Sequence, residues 1–231
     1  MALISALVLS LSLPAAHAAS LFRPLVGPAP RTHVPARTAD SASARPLHLV
    51  IMGPPGSGKG TQSARVEIDF GARHISSGDI LRAYAKTDPE VAAIMARGEL
   101  VPFPLVMKLM KRRLSEEDVR KNGFILDGFP RRLEDAIALL EILTDLDMPL
   151  DAVLKLDVPE DVLWRRVLGR GRADDTEAVF RDRMRVYREQ TEPVYAFLQG
   201  KVRFLTPNVS GDDPDAAYEN VRRALAGIAQ R

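Results

Sequence analysis

The chain has 231 residues, 46% of them hydrophobic, with a formal net charge of +2 and no cysteine. That length suits one α/β domain plus an appendage, and the missing cysteine excludes a disulfide framework or a cysteine-held zinc. Residues 1–45 hold Arg23, Arg31, Arg37 and Arg45 against Asp40, leaving 28 basic and 29 acidic side chains for the rest, so the domain itself lacks the basic footprint of a nucleic-acid binder.

The chain opens on a run of Ala, Leu, Ile, Val and Ser over residues 2–13, then Pro14 and Ala16-His17-Ala18. An apolar stretch with a small-residue cleavage pattern is signal-like over residues 1–18, although it has no basic start. It is too short to span a bilayer comfortably. Residues 19–45 are rich in Pro, Ala, Ser and Arg, which is transit-like and cannot bury a core. Together they resemble a bipartite plastid-targeting leader, disordered or removed. A mitochondrial or secretory destination, or an untargeted tail, are the alternatives. No stable membrane association is expected after processing.

Residues 47–52 are apolar and β-prone, and a helix is expected over 60–70. Between them runs Gly53-Pro54-Pro55-Gly56-Ser57-Gly58-Lys59-Gly60-Thr61-Gln62. A strand, a glycine-rich turn spaced G-x-x-x-x-G-K and a helix form a phosphate-binding loop. Gly56 and Gly58 allow backbone N–H groups to turn inward toward an anion, and Lys59 adds a point charge. The alternative is a glycine-rich turn that binds nothing. The usual Ser or Thr after the lysine, a Mg²⁺ ligand, is replaced by Gly60, with Thr61 one position later. A metal here would lean on water and carboxylates, which disfavours signalling GTPases and motor ATPases.

Further along, Ser76 or Ser77 can cap a helix starting near Gly78, which places Arg82 one turn in. Residues 89–97 predict a short helix opened by Pro89 and stopped by Gly98. Leu100-Val101-Pro102 leads away from it into an amphipathic helix over 103–115. Phe124-Ile125-Leu126 reads as a buried strand ending on Asp127, and an acid there would lie beside the phosphate loop of an open α/β sheet. A helix over 133–144 is expected to bury Leu133, Ile137, Leu140 and Leu143. A strand at 153–158 follows, then a helix after Pro159 with Trp164 as packing. Arg170-Gly171-Arg172 and Asp174-Asp175 lead into one long helix reaching Leu198 that carries Arg183. Arginines around a short glycine-containing loop suggest a mobile cationic cover for phosphates. A strand at 201–205 and a helix at 213–230 close the chain. The fold class is therefore α/β, a parallel sheet flanked by helices.

Five segments, Gly53 to Gln62, Ser76 to Arg82, Gly98 to Pro102, Gly123 to Arg131 and Arg170 to Asp175, resemble the adenylate kinases and their nucleoside-monophosphate kinase relatives. The resemblance covers about residues 46–231. It implies a helical acceptor-binding insert at about 76–105, a short lid at about 170–175, a monomer, and ATP, AMP and Mg²⁺ as substrates and cofactor, with no nucleic-acid partner. By the same resemblance, Gly56, Ser57, Gly58, Lys59, Gly60, Thr61 and Arg170 hold ATP. Ser77, Arg82, Gly98, Leu100, Val101, Gly128, Arg131, Asp135, Arg172 and Arg183 form the AMP side. Lys59, Arg131, Arg170, Arg172, Arg183 and Asp127 form the catalytic set the resemblance implies: Lys59 holds ATP phosphates, Arg82 and Arg131 fork onto the acceptor's phosphate, Arg170, Arg172 and Arg183 neutralise the transferring phosphoryl group or hold Asp174 and Asp175 as lid support on closure, and Asp127 orders water around Mg²⁺.

One departure concerns the acceptor base. Adenylate kinases usually read Thr-x-x-Gln-Ala after Phe-Pro-Arg, but this chain reads Arg132-Leu133-Glu134-Asp135-Ala136. An amide both donates and accepts, whereas an ionised Asp135 only accepts. Ser77 favours AMP and Asp135 leaves the base open, so a UMP/CMP or other nucleoside-monophosphate kinase is the alternative. A non-catalytic nucleotide-binding protein and a nucleic-acid NTPase are further readings.

Overall fold

A computed structural model describes residues 45–172 and 174–229. The expected leader therefore lies outside the described residues except for Arg45, which pairs with Asp151 at 2.8 Å.

β1 (Leu47–Met52) is buried along its whole length, as an apolar strand flanked on both sides must be. α1 (Lys59–Phe70), β2 (Arg73–Ser76), α2 (Ser77–Ala85), α3 (Pro89–Ala96), α4 (Phe103–Leu114), α5 (Glu117–Asn122) and β3 (Gly123–Asp127) follow. Next come α6 (Leu133–Asp145), β4 (Ala152–Lys155), α7 (Glu160–Arg170), α8 (Glu177–Val186), α9 (Glu192–Gln199), β5 (Arg203–Leu205) and α10 (Pro214–Ala229). The sheet order is β2-β3-β1-β4-β5, and every pairing is parallel.

Alternate residues of β1 feed two cores. Val50 and Met52 pack with Leu126, Met110, Leu139, Leu143 and Leu198. Leu47, Leu49 and Ile51 pack on the other face with Val66, Val221 and Leu225. Chain order reverses across β1, whose neighbours are β3 on one side and β4 on the other. Ligands of open α/β sheets collect at the carboxyl ends of the strands at such a point. The register sets Asp127 beside Ile51 there.

Three expectations needed correction. β2 and α5 were not foreseen as elements. The α6 stripe was placed only in part: Leu143 is buried as expected, but Leu133 and Ile137 are 46% and 42% exposed, and Ala136, Leu139 and Ile142 are buried in their stead. The apolar residues of this helix spread over more than one stripe, and packing against the sheet selects between them. The long helix to Leu198 is broken by a π-helical turn over Tyr187–Thr191. Pro193 follows within the first turn of α9. Without an N–H it cannot continue the α-helical ladder, and a wider turn absorbs the defect. The turn brings the Tyr187 and Tyr195 hydroxyls within 2.8 Å of each other in the interior. Trp164 is a packing residue as expected, with its ring 5.1 Å from that of Phe180.

Candidate active site

The loop between β1 and α1 is shaped by its glycines. Gly56 has φ +86°, and a Cβ there would lie 2.6 Å from the Leu163 carbonyl oxygen. Any larger residue must therefore displace backbone. Gly58 is left-handed at the N-terminus of α1, which turns the first free N–H groups of that helix toward the cleft. Lys59 lies back over the loop and donates to the carbonyls of Gly53 at 2.8 Å and Pro54 at 3.0 Å. Burial pulls its ammonium down to about 8, against the attraction of Asp127.

Asp127, at the end of β3, faces this lysine. Burial alone would raise its carboxyl, but His74, Lys59 and Arg131 outweigh that and hold it below the usual value. His74 Nε2 stands 3.4 Å from Asp127 Oδ2. Sequence reasoning gave His74 no role, because β2 is only four residues long and shows no alternation that would aim its side chains. A Cβ on Gly60 would come 3.4 Å from the same Asp127 oxygen, so Gly60 leaves the carboxylate open to the loop.

The opposite wall is the predicted helical insert. Ser76, rather than Ser77, caps α2, accepting from the Asp79 N–H at 3.2 Å. Ser77 is buried, and its hydroxyl donates to the Gly128 carbonyl at 2.7 Å. That bond ties the insert to the turn after β3. Arg131 Nε donates to the same carbonyl at 2.8 Å, which fixes the direction of its remaining N–H groups. Arg82 pairs with Asp79 one turn away. Asp135 is 2% exposed and its Oδ2 accepts from the N–H groups of Arg131 and Arg132, both at 3.0 Å. Half of this carboxylate is thus a helix cap, a role its position three residues into α6 could have suggested. Arg132, noted from sequence only as a departure, donates to the Val101 carbonyl and, at 2.9 Å, to Glu134.

The segment expected as a lid, about residues 170–175, falls at the end of α7 and in the connection to α8. Arg170 forks onto Asp175, with Nε 3.0 Å from Oδ2. Arg183 pairs with Asp174 and reaches Asp175 at 3.8 Å. The Arg172 N–H donates to Asp175 at 3.0 Å. These carboxylates stand behind the arginines, whereas Arg170, Arg172 and Arg183 themselves line the cleft.

The cleft has a volume of about 820 Å³, within the range of small-molecule sites. It brings together the glycine loop through Thr61, the insert residues Ser77, Arg82, Gly98, Leu100 and Val101, and Asp127, Gly128, Arg131 and Asp135. Every predicted contact residue except the two lid-support aspartates therefore borders one space. Glu99, Met95 and Tyr187 border it too and were not foreseen.

A phosphate loop, an acid on the neighbouring strand and arginines converging from three sides define a phosphoryl-transfer enzyme of the phosphate-loop class. A family model described as adenylate kinase matches residues 51–202. An adenylate kinase of Rhodococcus erythropolis is 44% identical over 188 residues, covering 80% of this chain and 100% of that protein. One from Nocardia farcinica is 44% identical over 184 residues, covering 78% and 99%. One from Synechococcus sp. is 43% identical over 182 residues, covering 77% and 98%. The chain belongs to the adenylate kinase family.

Proposed function

We propose that this chain transfers the terminal phosphoryl group of ATP to AMP, reversibly, giving two ADP. The observation that carries this reading is the convergence of the glycine loop and five arginines, 82, 131, 170, 172 and 183, on one cleft. Phosphoryl transfer needs little covalent chemistry from a protein; it needs positioning and charge stabilisation. In this reading the loop N–H groups and Lys59 hold the ATP phosphates, and Arg82 and Arg131 fork onto the phosphate of AMP. Arg170, Arg172 and Arg183 close over the group in transit. Arginine suits each place because its planar fork binds oxygens in pairs. Lid closure would exclude the water that otherwise hydrolyses ATP.

A divalent cation fits this site as an ion held through water. Gly60 offers no hydroxyl, and Asp127, held ionised by His74, Lys59 and Arg131, borders the cleft beside the loop. Mg²⁺ entering with ATP would supply charge neutralisation at the phosphates, with Asp127 orienting its waters.

The decisive measurement is steady-state transfer from ATP to AMP, CMP, UMP and GMP. AMP should give the highest kcat/KM, and a compound joining two adenosines through five phosphates should inhibit strongly. A different best acceptor would refute the assignment.

For the leader, a plastid destination is our reading, supported by its composition and by a cyanobacterial relative. No helix among the described residues is long and apolar enough to cross a membrane. A fluorescent protein carrying residues 1–45 should accumulate in plastids, and a mitochondrial or secreted signal would overturn this. A monomer is the proposed assembly state, and a doubled mass in sedimentation would contradict it.

A further inference from the structure

The cleft has a second flank, opposite the insert. It is the connection from β5 to α10, from which Val209, Gly211, Asp212, Pro214 and Ala217 border the cleft. The insert packs on the sheet face that carries Val50 and Met52, whereas α1, α10 and Val209 pack on the face that carries Leu49 and Ile51. Side chains from two helices hold this connection in place. Arg166 of α7 donates to the Val209 carbonyl at 2.9 Å and the Gly211 carbonyl at 2.6 Å. From the other side, Arg65 of α1 donates to the Pro214 carbonyl at 2.9 Å and to Asp215 at 2.5 Å. Its guanidinium lies over the Tyr218 ring, 5.5 Å from the centroid. The Tyr218 hydroxyl stands 2.6 Å from Asp69 Oδ2 and 3.1 Å from the Arg65 carbonyl, which fixes the ring against α1. Arg65 and Tyr218 stand behind the wall rather than in it. The helix that begins with Lys59 thus also sets where the wall stands. Asp215 is 82% exposed, and an ion pair in water is worth little. The carbonyl bond and the stacked ring are what carry the geometry.

We propose that Arg65, seated on Tyr218, is a positioning residue for the donor nucleotide: it holds the connection before α10 as a preformed wall for ATP and touches no part of the ligand. This rests on the reading of the cleft as a two-nucleotide site, in which the insert takes the acceptor and the opposite flank is left for the donor. Without the Arg65 tie, the chain around Pro214 is fastened from α7 alone and must be ordered each time ATP binds. That ordering costs free energy which a preformed wall does not charge to the ligand. The cost falls alike on bound substrate and transition state, so KM for ATP carries it. The acceptor, on the other sheet face, does not meet it.

The test is the pair of KM values for ATP and for AMP, each taken with the other substrate saturating, in the full-length parent, Arg65→Met and Asp215→Asn. Methionine keeps an unbranched stem over the Tyr218 ring and removes every donor. In Arg65→Met, KM for ATP should rise about 3- to 10-fold, the scale of ordering one or two groups on binding, while KM for AMP stays within about twofold of the parent. Asp215→Asn should leave both values within about twofold, since the exposed carboxylate contributes little. KM does not depend on how much of a preparation is folded, so a mere loss of stability cannot mimic the split. A rise in KM for ATP of less than about threefold in Arg65→Met would overturn the proposal, and so would a proportional rise in KM for AMP. An Asp215→Asn enzyme that matches Arg65→Met would assign the effect to the surface charge pair and overturn the role of the carbonyl bond. A parent that transfers phosphate to no monophosphate would instead overturn the reading of the cleft, and this proposal with it.

Discussion

A Lys59→Met enzyme is expected to retain no more than about a hundredth of the parent kcat/KM for ATP, the scale of losing one preorganised electrostatic donor. The lysine opens α1 beside the loop, and its ammonium is held by the Gly53 and Pro54 carbonyls. The charge is therefore stored next to the phosphate cradle and needs only a short swing to reach it. Methionine preserves the length of the side chain and removes the charge, so thermal stability should change little while transfer collapses. Lys59→Arg should also be poor, because a broad planar fork does not replace a compact point charge in a narrow loop. The same residue predicts a pH limit. With its ammonium pulled down to about 8, the unliganded enzyme loses this charge as pH rises through 8, and kcat/KM for ATP should fall with it. The descending limb in kcat should lie higher, since bound phosphate favours the ammonium. Profiles from about pH 7 to 10 for parent and Lys59→Met decide the matter. A limb shared by both would assign it to another group, and a variant keeping more than a tenth of the activity would remove Lys59 from its role.

Arg131→Met should cost a comparable factor, about 10² to 10³ in kcat/KM for AMP, but on the other substrate. Its Nε is anchored on the Gly128 carbonyl at 2.8 Å, the carbonyl that also receives Ser77. The fork is thereby aimed before any phosphate arrives, and little ordering cost remains for the ligand to meet. Arg131→Lys restores the charge without the fork and should recover only part of the loss. The loss should appear as a raised KM for AMP together with a lowered kcat, while KM for ATP stays near the parent value. An equal rise in both KM values would show instead that the variant has disturbed the whole cleft.

What could be read from sequence was what short-range chemistry dictates. The glycine loop, Lys59 and the Asp127 strand end depend on residues close in the chain, and the structure brings them together as expected. Features that depend on distant partners were less legible. β2 has only Ile75 fully buried, too little for a period. The correct face of α6 could not be chosen because its apolar residues, Leu133, Ala136, Ile137, Ala138, Leu139, Leu140, Ile142 and Leu143, spread over more than one stripe. The π turn was not read although a continuous helix was expected, because a proline can be met by a kink, a helix end or a wider turn, and packing selects among them. Asp135 was seen as a base-facing carboxylate, but its second task as a cap requires the N–H groups of Arg131 and Arg132 to point back at it, and that is a matter of backbone geometry. His74 was invisible for a similar reason: its partner is 53 residues away.

The central place of β1 also has a consequence in time. It is the first strand of the sheet to be synthesised, yet its neighbours are β3 and β4. At roughly 5–20 residues per second, both partners are complete only about 5–20 s after β1 itself. Until then Leu47–Met52, apolar except for His48, has both edges unpaired, the kind of sequence that associates with other exposed strands. The phosphate loop cannot be set before that wait ends.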